Sequence, residues 1–175
     1  MGFFRPGNTN PNSERSYRML RTPGNLSAAV FAAILVPFTV ASQTHVVTPS
    51  TWTLNLQQSD FGGGPAMKSD VITVQTDTDK WLKFTDVTVD GDGKTWNTAW
   101  SGPADGTSHP LKGMPGATFS QNAATDVDVM TLPDGTEITC SYSLSPDKKK
   151  MTNKCAAKSK DGKVVNQTTV YERTK

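Results

Sequence analysis

Cysteine and histidine are scarce in this chain, and their scarcity excludes several classes of protein. The 175 residues include 2 Cys and 2 His. A structural zinc site usually takes four Cys or His ligands, so we expect no metal and no other cofactor. The chain has no C-x-x-C pair, which argues against a thiol redox enzyme. It also has no G-x-S-x-G elbow, and a loop histidine such as His109 does not by itself make a hydrolase.

An excess of one charge is also lacking. The chain has 18 Lys and Arg against 16 Asp and Glu, a net charge of +2. Residues 1–41 hold four Arg and one Glu, so residues 42–175 carry 14 basic and 15 acidic side chains. A nucleic-acid-binding domain usually presents a basic face, and we therefore expect no nucleic-acid partner. The Lys148–Lys150 run is interpreted as a solvated hairpin tip.

Only one strongly apolar run is present, from Leu26 to Ala41. It is shorter than the roughly 20 residues of a membrane-spanning helix. Arg18 and Arg21 precede it and small residues close it, the pattern of a secretory signal peptide. We therefore predict cleavage after Ala41, no stable membrane span afterwards, and a secreted or periplasmic bacterial protein; an uncleaved anchor is the alternative. The polar stretch before Met19 favours Met19 as the true start of translation.

Beyond a flexible lead at 42–50, residues 51–175 are predicted to form a single β domain. Thr, Val, Ser and aromatic residues dominate, and Asp-Gly pairs typical of tight hairpins recur. A single helical turn is expected near Gln57 to Asp60. The predicted strands are 51–56, 70–76, 81–89, 94–101, 116–121, 126–131, 136–144, 149–158 and 163–173.

This series of short strands predicts an all-β fold. A meander must close or pack on itself to protect its edges, so we favour an antiparallel up-and-down barrel over a two-sheet sandwich. The alternation in strand 81–89 is uneven, and a bulge near Thr85 and Asp86 is expected to reconcile it. Asp126 and Asp128 share a strand face, which we interpret as the solubilising charge of an edge strand.

The cysteines, Cys140 and Cys155, flank one predicted turn, and two hairpin registers are open. If Ser145 pairs with Lys150, apolar residues face each other and the cysteines are direct neighbours, within disulfide reach. If the register slips by one residue, the cysteines lie on opposite faces. Matching of apolar residues favours the first register, and export favours a disulfide over two free thiols.

Aromatic side chains supply much of the apolar bulk. In a barrel, part of this set points inward, where it either lines a ligand cavity or fills the core. The candidate ligand-binding residues are Trp81, Phe84, Trp96, Trp100, Tyr142 and Tyr171.

Both ends of the β domain resemble lipocalins and fatty-acid-binding proteins. The segment Ser50–Leu54 is similar to their opening G-x-W-x-L, and Thr168–Arg173 is similar to the closing strand of fatty-acid-binding proteins. Residues 50–174 also resemble uncharacterised bacterial exported proteins of lipocalin-like type. The resemblance implies a calycin barrel in which Trp52 closes one end with Arg173 stacked on it. Thr169 stands where fatty-acid-binding proteins carry the arginine that holds the ligand carboxylate.

The leading functional hypothesis is a non-enzymatic, exported, lipocalin-like module that binds a small hydrophobic molecule. The alternative is an envelope or secreted structural protein with a packed core that acts through its surface. A hydrolase-type enzyme is the third hypothesis.

Overall fold

The computed structural model describes residues 45–175. The predicted signal segment, the proposed start at Met19 and the first residues of the lead lie outside the described residues. Ten strands and one 3₁₀ turn, Leu56–Gln58, make up the described part. The strands are β1 (Ser50–Leu54), β2 (Met67–Asp77), β3 (Trp81–Asp90), β4 (Thr95–Pro103), β5 (His109–Pro110), β6 (Thr118–Asn122), β7 (Val127–Thr131), β8 (Glu137–Leu144), β9 (Lys150–Lys158) and β10 (Val164–Arg173).

The strands form one antiparallel sheet in the order β4-β3-β2-β1-β10-β9-β8-β7-β6-β5. Sequential strands are neighbours except for β4 and β5, which form the two ends of the sheet. The first and last strands meet through the pairing of Leu54 with Tyr171. This is the predicted up-and-down topology. Each predicted strand is present, and the short β5 is the strand that the sequence did not indicate.

The sheet curls into a nearly closed barrel. Between the terminal strands, Ala99 of β4 exchanges two backbone hydrogen bonds of 3.0 Å with Lys112, and the Ala123 amide donates to the Ala104 carbonyl. These bonds join the two ends of the sheet through the 104–112 connection. The barrel architecture is thus confirmed over the two-sheet sandwich.

The predicted bulge near Thr85 and Asp86 is wrong. β3 pairs with β4 without a register shift from Trp81 to Val89, and the irregularities lie in β2, at Met67/Ser69 and Val74/Thr76. The uneven alternation has a simpler cause. Trp81 and Val87 lie on the outer face, where each remains more than 40 % exposed.

The inner faces of the strands form the hydrophobic core. It includes Trp52, Leu54, Val74, Leu82, Trp100, Met151 and Tyr171, all buried. Trp52 has no exposed surface. The core is mixed in character, because Asp70, Asp77, Thr98, Gln121 and Thr169 are also buried.

Candidate functional site

An aromatic wall lines the interior on the side of β3 to β6. The Phe119 ring lies 5.2 Å from that of Phe84 and 5.0 Å from that of Trp100, both in edge-to-face geometry. The His109 ring lies 6.3 Å from Trp100. Edge-to-face contacts at these separations are favourable beyond the area that they bury. We call these residues (Phe84, Trp100, His109 and Phe119) the aromatic wall.

Gly102 determines where the Trp100 indole lies. The two residues are on the inner face of β4, and a Cβ at Gly102 would come within 2.7 Å of Trp100 Cζ2. The indole therefore covers the backbone of Gly102, and any side chain there would displace it.

A polar group occupies the neighbouring part of the interior. The Asp77 carboxylate at the end of β2 accepts hydrogen bonds from the Val46 amide at 2.8 Å and the Tyr142 hydroxyl at 3.3 Å. Tyr142 belongs to β8, so this bond crosses the barrel interior. Burial raises the pKa of Tyr142 well above its ordinary value, and the charges of Asp77, Asp128 and Asp126 raise it further.

His45 lies on the outer side of this polar group. Its Nδ1 is 3.1 Å from Asp77 Oδ1, and its Nε2 is 2.6 Å from Asp79 Oδ1. Partial burial lowers the pKa of His45, but the two carboxylates raise it by more, so the net change is upward. The imidazolium is thus favoured at the rim.

Asp128 points into the interior from β7. Burial raises the pKa of its carboxyl group to about 7, and the charges of Asp77 and Asp126 add to the effect. β7 lies between β6 and β8, so the expectation that Asp128 marks an edge strand is wrong. Its alternation with Met130 reflects an inner face that is partly polar.

Several polar atoms on this inner wall have no hydrogen-bond partner within the described structure. Gln121, directly opposite Asp128 in the β6–β7 register, is 3 % exposed. Buried polar groups are normally hydrogen-bonded, and each exception calls for an explanation. The buried atoms without a partner in residues 45–175 are Gln75 Oε1, Trp100 Nε1, His109 Nε2, Gln121 Oε1, Asp128 Oδ1 and Asn153 Oδ1.

A second cluster of carboxyl groups, Asp70 and Asp86, has hydrogen-bond partners within the protein. The Tyr171 hydroxyl donates to Asp70 at 2.7 Å, and the Thr88 hydroxyl lies 3.2 Å from Asp70 and 3.3 Å from Asp86. Burial, followed by the neighbouring Asp70, raises the pKa of Asp86 to about 9. Asp86 therefore holds its proton at neutral pH.

The structure divides the sequence-predicted ligand residues into two sets. Phe84, Trp100, Tyr142 and Tyr171 all face the interior, but the two tyrosine hydroxyls are engaged with Asp77 and Asp70. Trp81 is 45 % exposed and donates to Ser101 on the outer face.

Trp96 lies apart from the aromatic wall. Its Nε1 donates to Asp90 at 3.1 Å, and the Lys94 ammonium sits 3.5 Å above its ring. Trp96 therefore belongs to the β3–β4 hairpin end.

The polar residues of the barrel interior were not predicted from the sequence. Asp77, Gln121 and Asn153 occur in sequence contexts typical of solvent-facing positions. A signal was nevertheless present for Asp128, since it alternates in phase with the apolar Met130.

Trp52 and Arg173, which the resemblance places together at one barrel end, lie on adjacent strands. Trp52 and Arg173 are direct cross-strand partners in the β1–β10 register. The cation–π contact found in residues 45–175 is, however, that of Lys94 with Trp96. The Trp52 indole instead donates to the Ser50 hydroxyl at 2.8 Å, which gives this serine a structural role.

The disulfide between Cys140 and Cys155 is present in the predicted register. Cys140 pairs with Cys155 and Leu144 with Met151, and the Ser145 amide donates to the Lys150 carbonyl. Disulfides persist in oxidising compartments, so the bond indicates an exported location.

Two surface depressions occur in the described region. One, of about 590 Å³, lies between the β8–β9 hairpin and the end of β10, and the other, of about 420 Å³, lies on the outer wall over the disulfide. Neither is lined by any of the predicted ligand residues.

Among residues 45–175, no group of three or more His, Cys, Asp and Glu side chains is placed to hold a metal ion. In the same residues, no helix has the length and apolar character to cross a membrane.

The fold and the interior together define the protein as a nearly closed, antiparallel up-and-down β-barrel with an aromatic wall beside a polar group. No protein-family model matches the chain, and no curated protein matches it significantly.

Proposed function

We propose that this chain is a secreted or periplasmic, calycin-type binding module whose barrel interior holds a small molecule. The ligand has an apolar body that packs on the aromatic wall, and it carries hydrogen-bonding groups. The observation that carries the proposal is the set of unpaired buried atoms next to that wall: Trp100 Nε1, His109 Nε2, Gln121 Oε1 and Asp128 Oδ1. Small-molecule sites are mostly apolar, with a few polar groups that fix orientation.

The polar interior refines the sequence-based hypothesis of a purely hydrophobic ligand. A hydrocarbon would leave these buried atoms unpaired and would not relieve the cost of about 1–3 kcal/mol that each unpaired group carries. An amphipathic ligand satisfies them and covers the aromatic rings as well.

The proposal is tested by intrinsic fluorescence. Trp100 reports on the interior and Trp81 on the outer face, so Trp81→Phe is the matched control for Trp100→Phe. Titration with a panel of aryl and alkyl alcohols, amines and acids is expected to quench the wild-type protein saturably. The quenching should persist in Trp81→Phe and largely vanish in Trp100→Phe. Absence of saturable quenching across the panel contradicts the proposal.

A second candidate function is a structural or interaction protein with a filled core. It is favoured by the position of both surface depressions on the outside of the barrel. Because neither depression is lined by Trp81 or by a member of the aromatic wall, this candidate predicts no saturable quenching by the panel in the wild type, in Trp81→Phe or in Trp100→Phe.

A further inference from the structure

The polar part of the interior brings several carboxyl groups together, and no cation of the described residues lies beside Asp128. Asp77 and Asp128 face it, Asp126 lies close enough to act on both Asp128 and Tyr142, and the groups that act on Asp128 are all acidic. Among residues 45–175, the salt bridges are those of His45 with Asp77 and Asp79, at the rim. No protein cation in this region therefore reaches Asp128.

The unpaired atoms near this charge are mainly acceptors. Gln121 Oε1 and Asp128 Oδ1 belong to directly paired residues on β6 and β7, and Asn153 Oδ1 belongs to the residue paired with Tyr142. Gln121 is 3 % exposed, so bulk solvent does not satisfy it. Unpaired acceptors beside a carboxyl group that has no cation within reach, that of Asp128, fit a group that donates several hydrogen bonds and carries a positive charge.

We propose that this polar group receives the protonated amine of the ligand, with Asp128 as the principal counter-ion and Gln121 as a further acceptor. The inference rests on the proposed function and specifies its ligand class. An ammonium group carries three donors and no acceptor, which matches the chemistry of these atoms. Hydrogen bonds between such charged partners are about twice as strong as neutral ones.

The strand geometry also limits the shape of the ligand. Phe119 of the aromatic wall and Gln121 lie two residues apart on the same face of β6. Such positions are separated by about 7 Å along a strand. The ligand class is therefore an arylalkylamine in which a short linker separates the ring from the ammonium group.

The test uses three probes with one apolar body: 2-(1-naphthyl)ethylamine, 2-(1-naphthyl)ethanol and 1-naphthylacetate. Binding is measured by isothermal titration calorimetry at pH 7.5. A charge-assisted contact predicts that the amine binds about 10- to 100-fold more tightly than the alcohol, and the acetate most weakly. Asp128→Asn should lower the binding affinity for the amine to that for the alcohol, and it should leave the affinity for the alcohol unchanged.

Asp92→Asn is the matched control. Asp92 lies in the exposed β3–β4 turn, so this variant removes the same formal charge away from the interior. Its preference for the amine should equal that of the wild type. Thermal melts of both variants establish that they are folded.

Proton release provides a readout independent of affinity. Binding of an ammonium group should ionise Asp128, whose carboxyl group is about half protonated near pH 7. Calorimetry at pH 6.5 in buffers of different ionisation enthalpy should therefore detect protons released by the wild type and fewer by Asp128→Asn. Equal release by both proteins contradicts the assignment of Asp128.

The outcomes separate the two proposals. Equal binding of the amine and the alcohol, or an amine preference that survives in Asp128→Asn, overturns the inference and leaves the proposed function standing. Failure of all three probes, and of their benzyl and decyl counterparts, overturns the proposed function and this inference with it.

Discussion

The indole Nε1 of Trp52 donates a hydrogen bond of 2.8 Å to the hydroxyl of Ser50, two residues earlier on the same inner face of β1. Both side chains are fully buried. This short-range pair holds a core tryptophan where the first and last strands pair.

Ser50→Ala should destabilise the protein by about 1–3 kcal/mol, because a buried indole N–H loses its acceptor. Ser101→Ala is the matched control, since Ser101 accepts the same kind of bond from the exposed Trp81, where water replaces it. In urea unfolding, the control should lose less than about 0.5 kcal/mol of its free energy of unfolding. Equal losses in both variants would show that burial of the bond is unimportant.

Gly102→Ala should destabilise the protein by about 1–3 kcal/mol through overpacking against Trp100. The new Cβ would lie 2.7 Å from Cζ2 and 2.8 Å from Cη2. Phenylalanine lacks those atoms, so Trp100→Phe should relieve the clash. A double-mutant cycle by urea unfolding is expected to give a Gly102→Ala cost that is smaller in the Trp100→Phe background. An unchanged cost contradicts this cause.

The strand order and the disulfide register could be predicted from the sequence because their determinants are local. Asp-Gly turns set the hairpins, and the pairing of Leu144 with Met151 selects one register for Cys140 and Cys155. The polar interior depends on contacts between residues far apart in the chain. Asp77 meets Tyr142 across the barrel, 65 residues away in sequence, and no local pattern reports such a contact.

The uneven strand alternation shows a second limit of local patterns. Trp81 was expected to bind ligand because it is aromatic, yet its neighbour Leu82 takes the inner position. Two adjacent apolar residues cannot share a face of one regular strand, and the sequence alone did not indicate which would point inward.

Replacement of both Cys140 and Cys155 with alanine should cost about 3 kcal/mol in the chain-entropy model, since the bond closes a loop of 15 residues. The midpoint of urea unfolding should fall in the variant and in the reduced wild-type protein alike. Reductant should have no effect on the variant, which serves as its own control. A drop below about 0.5 kcal/mol would mean that the hairpin is equally restricted when the chain is unfolded.

The Asp70–Asp86 pair predicts a dependence of stability on pH. Because burial raises the pKa of Asp86 from 3.8 to about 9, the folded protein holds this proton more tightly than the unfolded chain. The proton on Asp86 therefore contributes its full stabilisation below about pH 4, and this stabilisation is lost progressively as the pH rises towards 9.

Asp86→Asn keeps an uncharged side chain at every pH and should remove this loss. Its stability relative to the wild type should therefore increase between pH 4 and pH 9, by several kcal/mol in total. Urea unfolding at intervals across this range measures the difference, and Asp92→Asn in the exposed turn should give a nearly flat difference. A variant that loses stability relative to the wild type as the pH rises would mean that Asp86 is ionised in the folded protein, with an unidentified partner for its charge.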